Sequence, residues 1–264
     1  MEEKPLIYLG IDPSMRYQPY VYAALDADLK IVAIGDGPLR EVLSYAAGLS
    51  SAAVAINGPQ KLNQGLVQAE EEKQTLFPVA ASKRGDLRQV ELDLLKEGIR
   101  VPRTAAAEKE CPVWMRRGFK LYKRIQKLGY KLHAFEAEQP RCYFEVQTEA
   151  VFSRLAGGAP LFDELSLEGR LQRQLILYEE DLPVSDAMKF FEEVTRFRLL
   201  KGILPTEAIY ETGELNALVA AFSAWLLFHK PDQLQSFGDP IEGEIYLPVL
   251  RDAVFRPRKQ AYVG

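Results

Sequence analysis

Apolar and polar positions along this chain follow two periods, and the changes between them mark out strands and helices. Residues 6–12 (Leu-Ile-Tyr-Leu-Gly-Ile-Asp) form an apolar run that ends at Asp12 and Pro13. A short apolar run bounded by turn residues predicts a buried strand. An unpartnered carboxylate in a core is very costly, so Asp12 is expected at the tip of a central strand, where open sheets gather their chemistry. A cap on an Asp-Pro turn is the alternative. Tyr20–Leu25 and residues 29–34 read as two further strands around a turn at 26–28. Together the three form an antiparallel meander. Residues 40–47 read as a helix with Leu39, Val42, Leu43 and Ala46 on one face. Ala52–Asn57 repeats the form of the first strand, with a polar end followed by Gly58-Pro59. A helix between the meander and a new buried strand predicts a parallel crossover, which brings Asn57 to the sheet edge that carries Asp12.

The pattern weakens over residues 61–83, then a helix containing Val90, Leu92, Leu94 and Leu95 runs up to Gly98. Residues 114–128 read as a strongly basic amphipathic helix. Trp114, Phe119 or Leu121, Tyr122, Ile125 and Leu128 lie on its apolar face; Arg116, Arg117, Lys120, Lys123, Arg124 and Lys127 lie opposite. Residues 142–146 predict a short strand with Glu145 inside it, followed by a helix at 149–155 that Gly157-Gly158 stops. Residues 169–180 and 185–200 read as helices. Residues 211–216 open a long apolar helix, 217–229, with Leu218, Ala221, Phe222 and Trp225 facing one way. Residues 237–248 read as a hairpin turning at Glu242-Gly243.

Composition narrows the chemistry. The chain has 264 residues, 47% hydrophobic and 27% charged, ordinary for a globular protein and enough for one large domain. Cys111 and Cys142 stand far apart, as do His133 and His229, so a zinc site or a Cys-His nucleophile pair is not expected. The N-terminus has no signal-peptide form, and no apolar run reaches bilayer length. A cytoplasmic location without a membrane partner is therefore expected. The net charge of −4 argues against a surface that is basic throughout, but leaves room for a local basic patch of the kind nucleic acid requires. The candidates are Lys83, Arg84 and Arg88, together with Arg116, Arg117 and Lys120 of the basic helix.

The order of elements and four short segments give a resemblance. They are Gly10-Ile11-Asp12, then Val54-Ala55-Ile56-Asn57-Gly58-Pro59, then Phe144-Glu145-Val146-Gln147-Thr148-Glu149-Ala150 with Leu155, and Glu214-Leu215-Asn216-Ala217-Leu218-Val219-Ala220-Ala221. In them the chain resembles the uncharacterised prokaryotic domain-of-unknown-function family described as predicted RNase H-like nucleases, over about residues 6–248. The resemblance implies an α/β fold: an RNase H-like mixed sheet, an antiparallel three-stranded meander plus parallel strands, flanked by helices. It would form a single domain over 1–264, with helical insertions at about 61–130 and 161–205.

The resemblance also implies a metal-dependent nuclease in which acids from strand ends and the last helix hold Mg²⁺ or Mn²⁺. Hard cations take oxygen ligands, and two of them can activate a water and stabilise a leaving oxygen. Carried over, Asp12 and Glu145 are the expected metal ligands, with Glu214, Asn216 and Asn57 completing the catalytic set. Asn57 and Asn216 stand where the family has Asp and bring no charge. Glu211 or Glu214 could compensate. The bland alternatives are a turn residue at Asn57, an Arg-paired Glu145, and a helix-capping Glu214. Two rival functions remain open. One is a catalytically degenerate RNase H-like module that binds nucleic acid or protein; the other is a nucleotide-binding protein of actin-like or sugar-kinase-like architecture. Nucleic acid is the expected partner, and a homodimer is a candidate assembly.

Overall fold

The buried apolar runs pair into one mixed sheet. The computed structural model describes residues 5–13, 19–67, 87–133 and 140–250. β1 (Ile7–Asp12), β2 (Tyr20–Leu25) and β3 (Ile31–Gly37) form an antiparallel meander. α1 (Leu39–Gly48) crosses to β4 (Ala52–Asn57), which lies parallel to β1. β6 (Arg141–Val146) runs parallel to β4, and the two-residue β5 (Lys131–Leu132) adds a parallel edge. The sheet order is β3-β2-β1-β4-β6-β5. The parallel strands β4 and β6 are buried almost throughout, as expected of strands covered on both faces.

Helices cover the two faces. α8 (Thr212–His229) lies against one, with Tyr8, Ala23, Leu25, Ala53, Ala55, Phe144 and Val146 beneath it. α1 and α3 (Val113–Lys127) pack on the other, over Leu9, Ile11, Val54, Ile56 and Tyr143. Every residue of α8 from Leu215 to Leu227 is buried. The sequence pattern assigned it one apolar face, whereas α4 (Thr148–Leu155), α5 (Leu167–Glu179) and β8 (Gly243–Pro248) enclose its other sides. A helix apolar all round is a buried helix. A glycine sets its closest approach: a Cβ at Gly10 would overlap the Ala217 carbonyl oxygen and the Ala221 nitrogen. The second and third turns of α8 therefore lie backbone to backbone on β1 at Gly10.

Several boundaries differ from the sequence reading. β3 starts at Ile31 because Asp26 Oδ1 accepts hydrogen bonds from the Asp28 and Lys30 nitrogens, and the turn it closes holds Leu29 at φ 61°. The helix expected over 185–200 is two short ones, α6 (Lys189–Glu193) and α7 (Arg196–Leu200). Thr195 starts the second, its hydroxyl accepting from the Arg198 nitrogen, as Ser/Thr N-caps do. The last helix starts at Thr212, within the 211–216 stretch expected to open it, through a reciprocal cap between Glu211 and Glu214. α2 (Gln89–Lys96) and a hairpin of β7 (Leu234–Asp239) with β8 complete the described chain. Among the described residues no helix is long and apolar enough to cross a membrane.

Candidate functional site

The carboxyl ends of β1 and β4 open into a cleft of about 420 Å³. Topology places it where the parallel half of the sheet meets the meander, the position at which open α/β sheets bind ligands. Asp12 closes β1 and is 6% exposed. The Asn57 amide donates to Asp12 Oδ1 at 3.1 Å, and Asn57 Oδ1 accepts the Thr148 backbone N–H at 3.3 Å. Asn57 thus ties the ends of two strands to the start of α4. An ionised Asp there could not donate to Asp12. Asn216, in the second turn of α8, lines the same cleft with Glu149 and Glu164.

Glu164 lines this cleft on the loop before α5. Burial raises its carboxyl above the ordinary range first, and the charge of Glu149 raises it further. The Arg173 guanidinium opposes this, Asp12 adds to the rise, and a hydrogen bond from Asn216 lowers it. Arg173, fully buried, donates to Glu149 Oε2 at 2.7 Å and to the Phe162 carbonyl at 3.0 Å. One guanidinium therefore fixes a cleft carboxylate and the segment that carries Glu164. Sequence reasoning passed over both Glu164 and Arg173. Glu164 sits in a loop without periodicity, and only Glu149, in the first turn after a strand, carried a readable signal.

Glu145 is elsewhere. Parallel register pairs Ile11 with Ile56 and Ile56 with Glu145, so Glu145 points to the face opposite Asp12 and Asn57. Arg88 takes both its oxygens, Nη2 to Oε1 at 2.5 Å and Nη1 to Oε2 at 3.0 Å, and the Gln60 N–H adds a third bond at 2.8 Å. Arg88 also pairs with Glu91 and donates to the Glu242 carbonyl. Burial works against the Arg88 charge, but Glu145 and then Glu91 outweigh it and hold the guanidinium protonated. Arg88 is fully buried, so the structure gives it an internal partner rather than access to a substrate.

The other expected residues divide. Glu214 accepts the Glu211 N–H at 2.8 Å as a helix cap. Arg116 and Lys120 are exposed on α3 with Lys123, Arg124 and Lys127, while Arg117 lies over the Tyr20 ring at 4.2 Å. α3 runs beside the cleft: Trp114 lines it and covers Gly58, and the Tyr122 hydroxyl donates to the Ile56 and Gly58 carbonyls. Lys83 and Arg84 lie outside the described residues.

Comparison with protein-family models, curated proteins and solved structures gives no match to this chain. The fit of Mg²⁺ or Mn²⁺ therefore rests on the donors alone. Asp12, Glu149 and Glu164 supply hard oxygen atoms, but the expected pair, Asp12 and Glu145, lies on two faces of the sheet. Among the described residues no three His, Cys, Asp or Glu side chains are placed to hold one ion. The expected two-ion arrangement does not fit these side chains as they stand.

Proposed function

We propose that the chain is an RNase H-like module that holds a nucleic-acid backbone along α3 and the rim of the Asp12 cleft, and that it binds rather than cleaves. The antiparallel meander, the parallel strands beside it and the buried helix over β1 support the RNase H-like reading. The capture of Glu145 by Arg88, on the face away from Asp12, carries the binding reading. Hydrolysis assisted by two cations needs carboxylates gathered about one point, and Asn57 and Asn216 add amides there instead. Exposed cations on α3 supply the sequence-independent attraction to phosphates. Trp114 at the cleft rim offers a ring face for an unpaired base.

Fluorescence anisotropy with labelled single-stranded and duplex oligonucleotides tests this, first in EDTA and then with Mn²⁺. The expected result is binding that weakens with salt while the oligonucleotide stays intact. Arg116→Glu with Lys120→Glu should cost roughly tenfold or more in affinity. It should also lower the slope of log K against log salt by about 0.9 for each duplex phosphate no longer neutralised. Absence of binding at low salt would end the proposal.

One observation favours a second reading, a metal-dependent nuclease. Glu164 feels the charges of both Glu149 and Asp12, a repulsion that a divalent cation would relieve. Calorimetry with Mn²⁺ separates the two. Binding by the wild type that vanishes in Asp12→Asn, accompanied by cleavage, replaces the first reading with the second.

A further inference from the structure

Outside the cleft, the described segment 195–204 carries a cluster of exposed apolar side chains. Val194 packs into the small core of Leu171, Ala187, Phe190 and Ile209, and Pro205 is buried. Between these anchors no residue is buried. Phe197 is 65% and Leu200 79% exposed, and Leu199, Ile203 and Leu204 are exposed beside them. Isolated exposed apolar residues are ordinary, but five in ten residues are a patch that needs an occupant.

The geometry of the patch selects among occupants. Successive residues of a helix turn by about 100°, so Phe197 and Leu200 of α7 share one face, about 60° apart, while Leu199 points to the other side and Ile203 and Leu204 lie beyond the helix end. A groove on a partner protein, or a second copy, would cover one stripe of such a segment. The boundary layer of a bilayer has no fixed shape and can take up side chains from either side of so short a segment. The same ten residues hold Arg196, Arg198 and Lys201 and no acid. Arg198 has an exposed pairing with Glu193 at 3.4 Å, and Lys201 Nζ lies 4.4 Å from the Phe197 ring centroid. Cations beside exposed apolar side chains are the composition of an interfacial anchor on anionic lipid. Nucleic acid would use the cations but leave the five apolar side chains in water.

We propose that residues 195–204 insert into the headgroup layer of an anionic membrane and hold the protein at its surface. Co-sedimentation of the full chain tests this, using vesicles of phosphatidylcholine alone and of phosphatidylcholine mixed with phosphatidylglycerol. The wild type should partition onto the mixed vesicles at least tenfold more strongly than onto the neutral ones, because each cation near an anionic surface adds to the attraction. Phe197→Ser with Leu200→Ser should lose partitioning onto both without a fall in melting temperature, because both side chains are exposed. Three results would overturn the proposal. One is no sedimentation of the wild type. Another is equal sedimentation of wild type and variant. The third is a wild-type dimer in analytical ultracentrifugation that the variant abolishes, which would assign the patch to a second copy.

Discussion

Arg88 is the residue whose role changed most between sequence and structure. Grouped with Lys83 and Arg84, it reads as part of a basic patch. Within the fold it is the counter-charge to Glu145 and Glu91, whose side chains are 0% and 1% exposed. Removing one partner of a buried ionic cluster costs far more than the cluster contributes as a whole, because the remaining charge is stranded. Arg88→Met should therefore lower stability by about 3–5 kcal/mol in urea unfolding. Adding Glu91→Gln and Glu145→Gln should recover much of that loss. A surface cation would instead give a change within about 0.5 kcal/mol, and that outcome would remove Arg88 from the core. A cue was present in the sequence, since Glu91 stands three residues after Arg88 at a helix start. Nothing in a single sequence could show that Glu145, 57 residues away, completes the pair. The place of Asp12 at a strand end was legible for the opposite reason: it follows from the apolar run that precedes it in the same strand.

Among the elements, legibility followed length and period. β1, β4, β6 and α3 were readable because a sustained apolar pattern fixes the buried face. The break between α6 and α7 was not, because Thr195 caps a new helix in a stretch whose composition also suits a continuous one. α8 was readable as a helix but not as a fully enclosed one, since burial on several sides depends on what packs there. Gly10 shows how finely that packing is set. α8 reaches β1 backbone to backbone, and any Cβ at position 10 meets main-chain atoms of Ala217 and Ala221, which cannot swing aside as a side chain would. Gly10→Ala should force the first turns of α8 off the sheet and destabilise the protein by roughly 1–3 kcal/mol or more. It should also displace Asn216 from Glu164. Denaturant titration checks the first effect, and the amide chemical shifts of Thr212 to Asn216 check the second. An unchanged unfolding midpoint would show that the close approach is not needed.

For the whole molecule, two sets of buried groups act in opposite senses as pH changes. Glu91 and Glu164 have carboxyls raised above their ordinary value of 4.5, in both cases by burial first. The folded state holds these protons more tightly than the unfolded chain, so their contribution to stability falls as pH rises from 4.5 through the raised values. His133 and His229 are lowered below 6.5, again by burial first. Here the unfolded chain binds protons more readily, so their contribution rises as pH climbs towards 6.5. His133 sits among the rings of Phe144, Phe228 and Tyr246, where a charged imidazole is poorly solvated. The two trends offset each other across the acidic range, and single substitutions should expose each of them. In Glu164→Gln one falling component is gone, so the urea midpoint should climb more steeply with pH between 4.5 and 6.5 than in the wild type. In His133→Phe one rising component is gone, so the climb should be shallower over the same range. Two variants that both run parallel to the wild type would mean that neither group differs in protonation between the folded and unfolded chain. The cleft electrostatics argued from Glu164 would then have to be rebuilt on Asp12 and Glu149 alone.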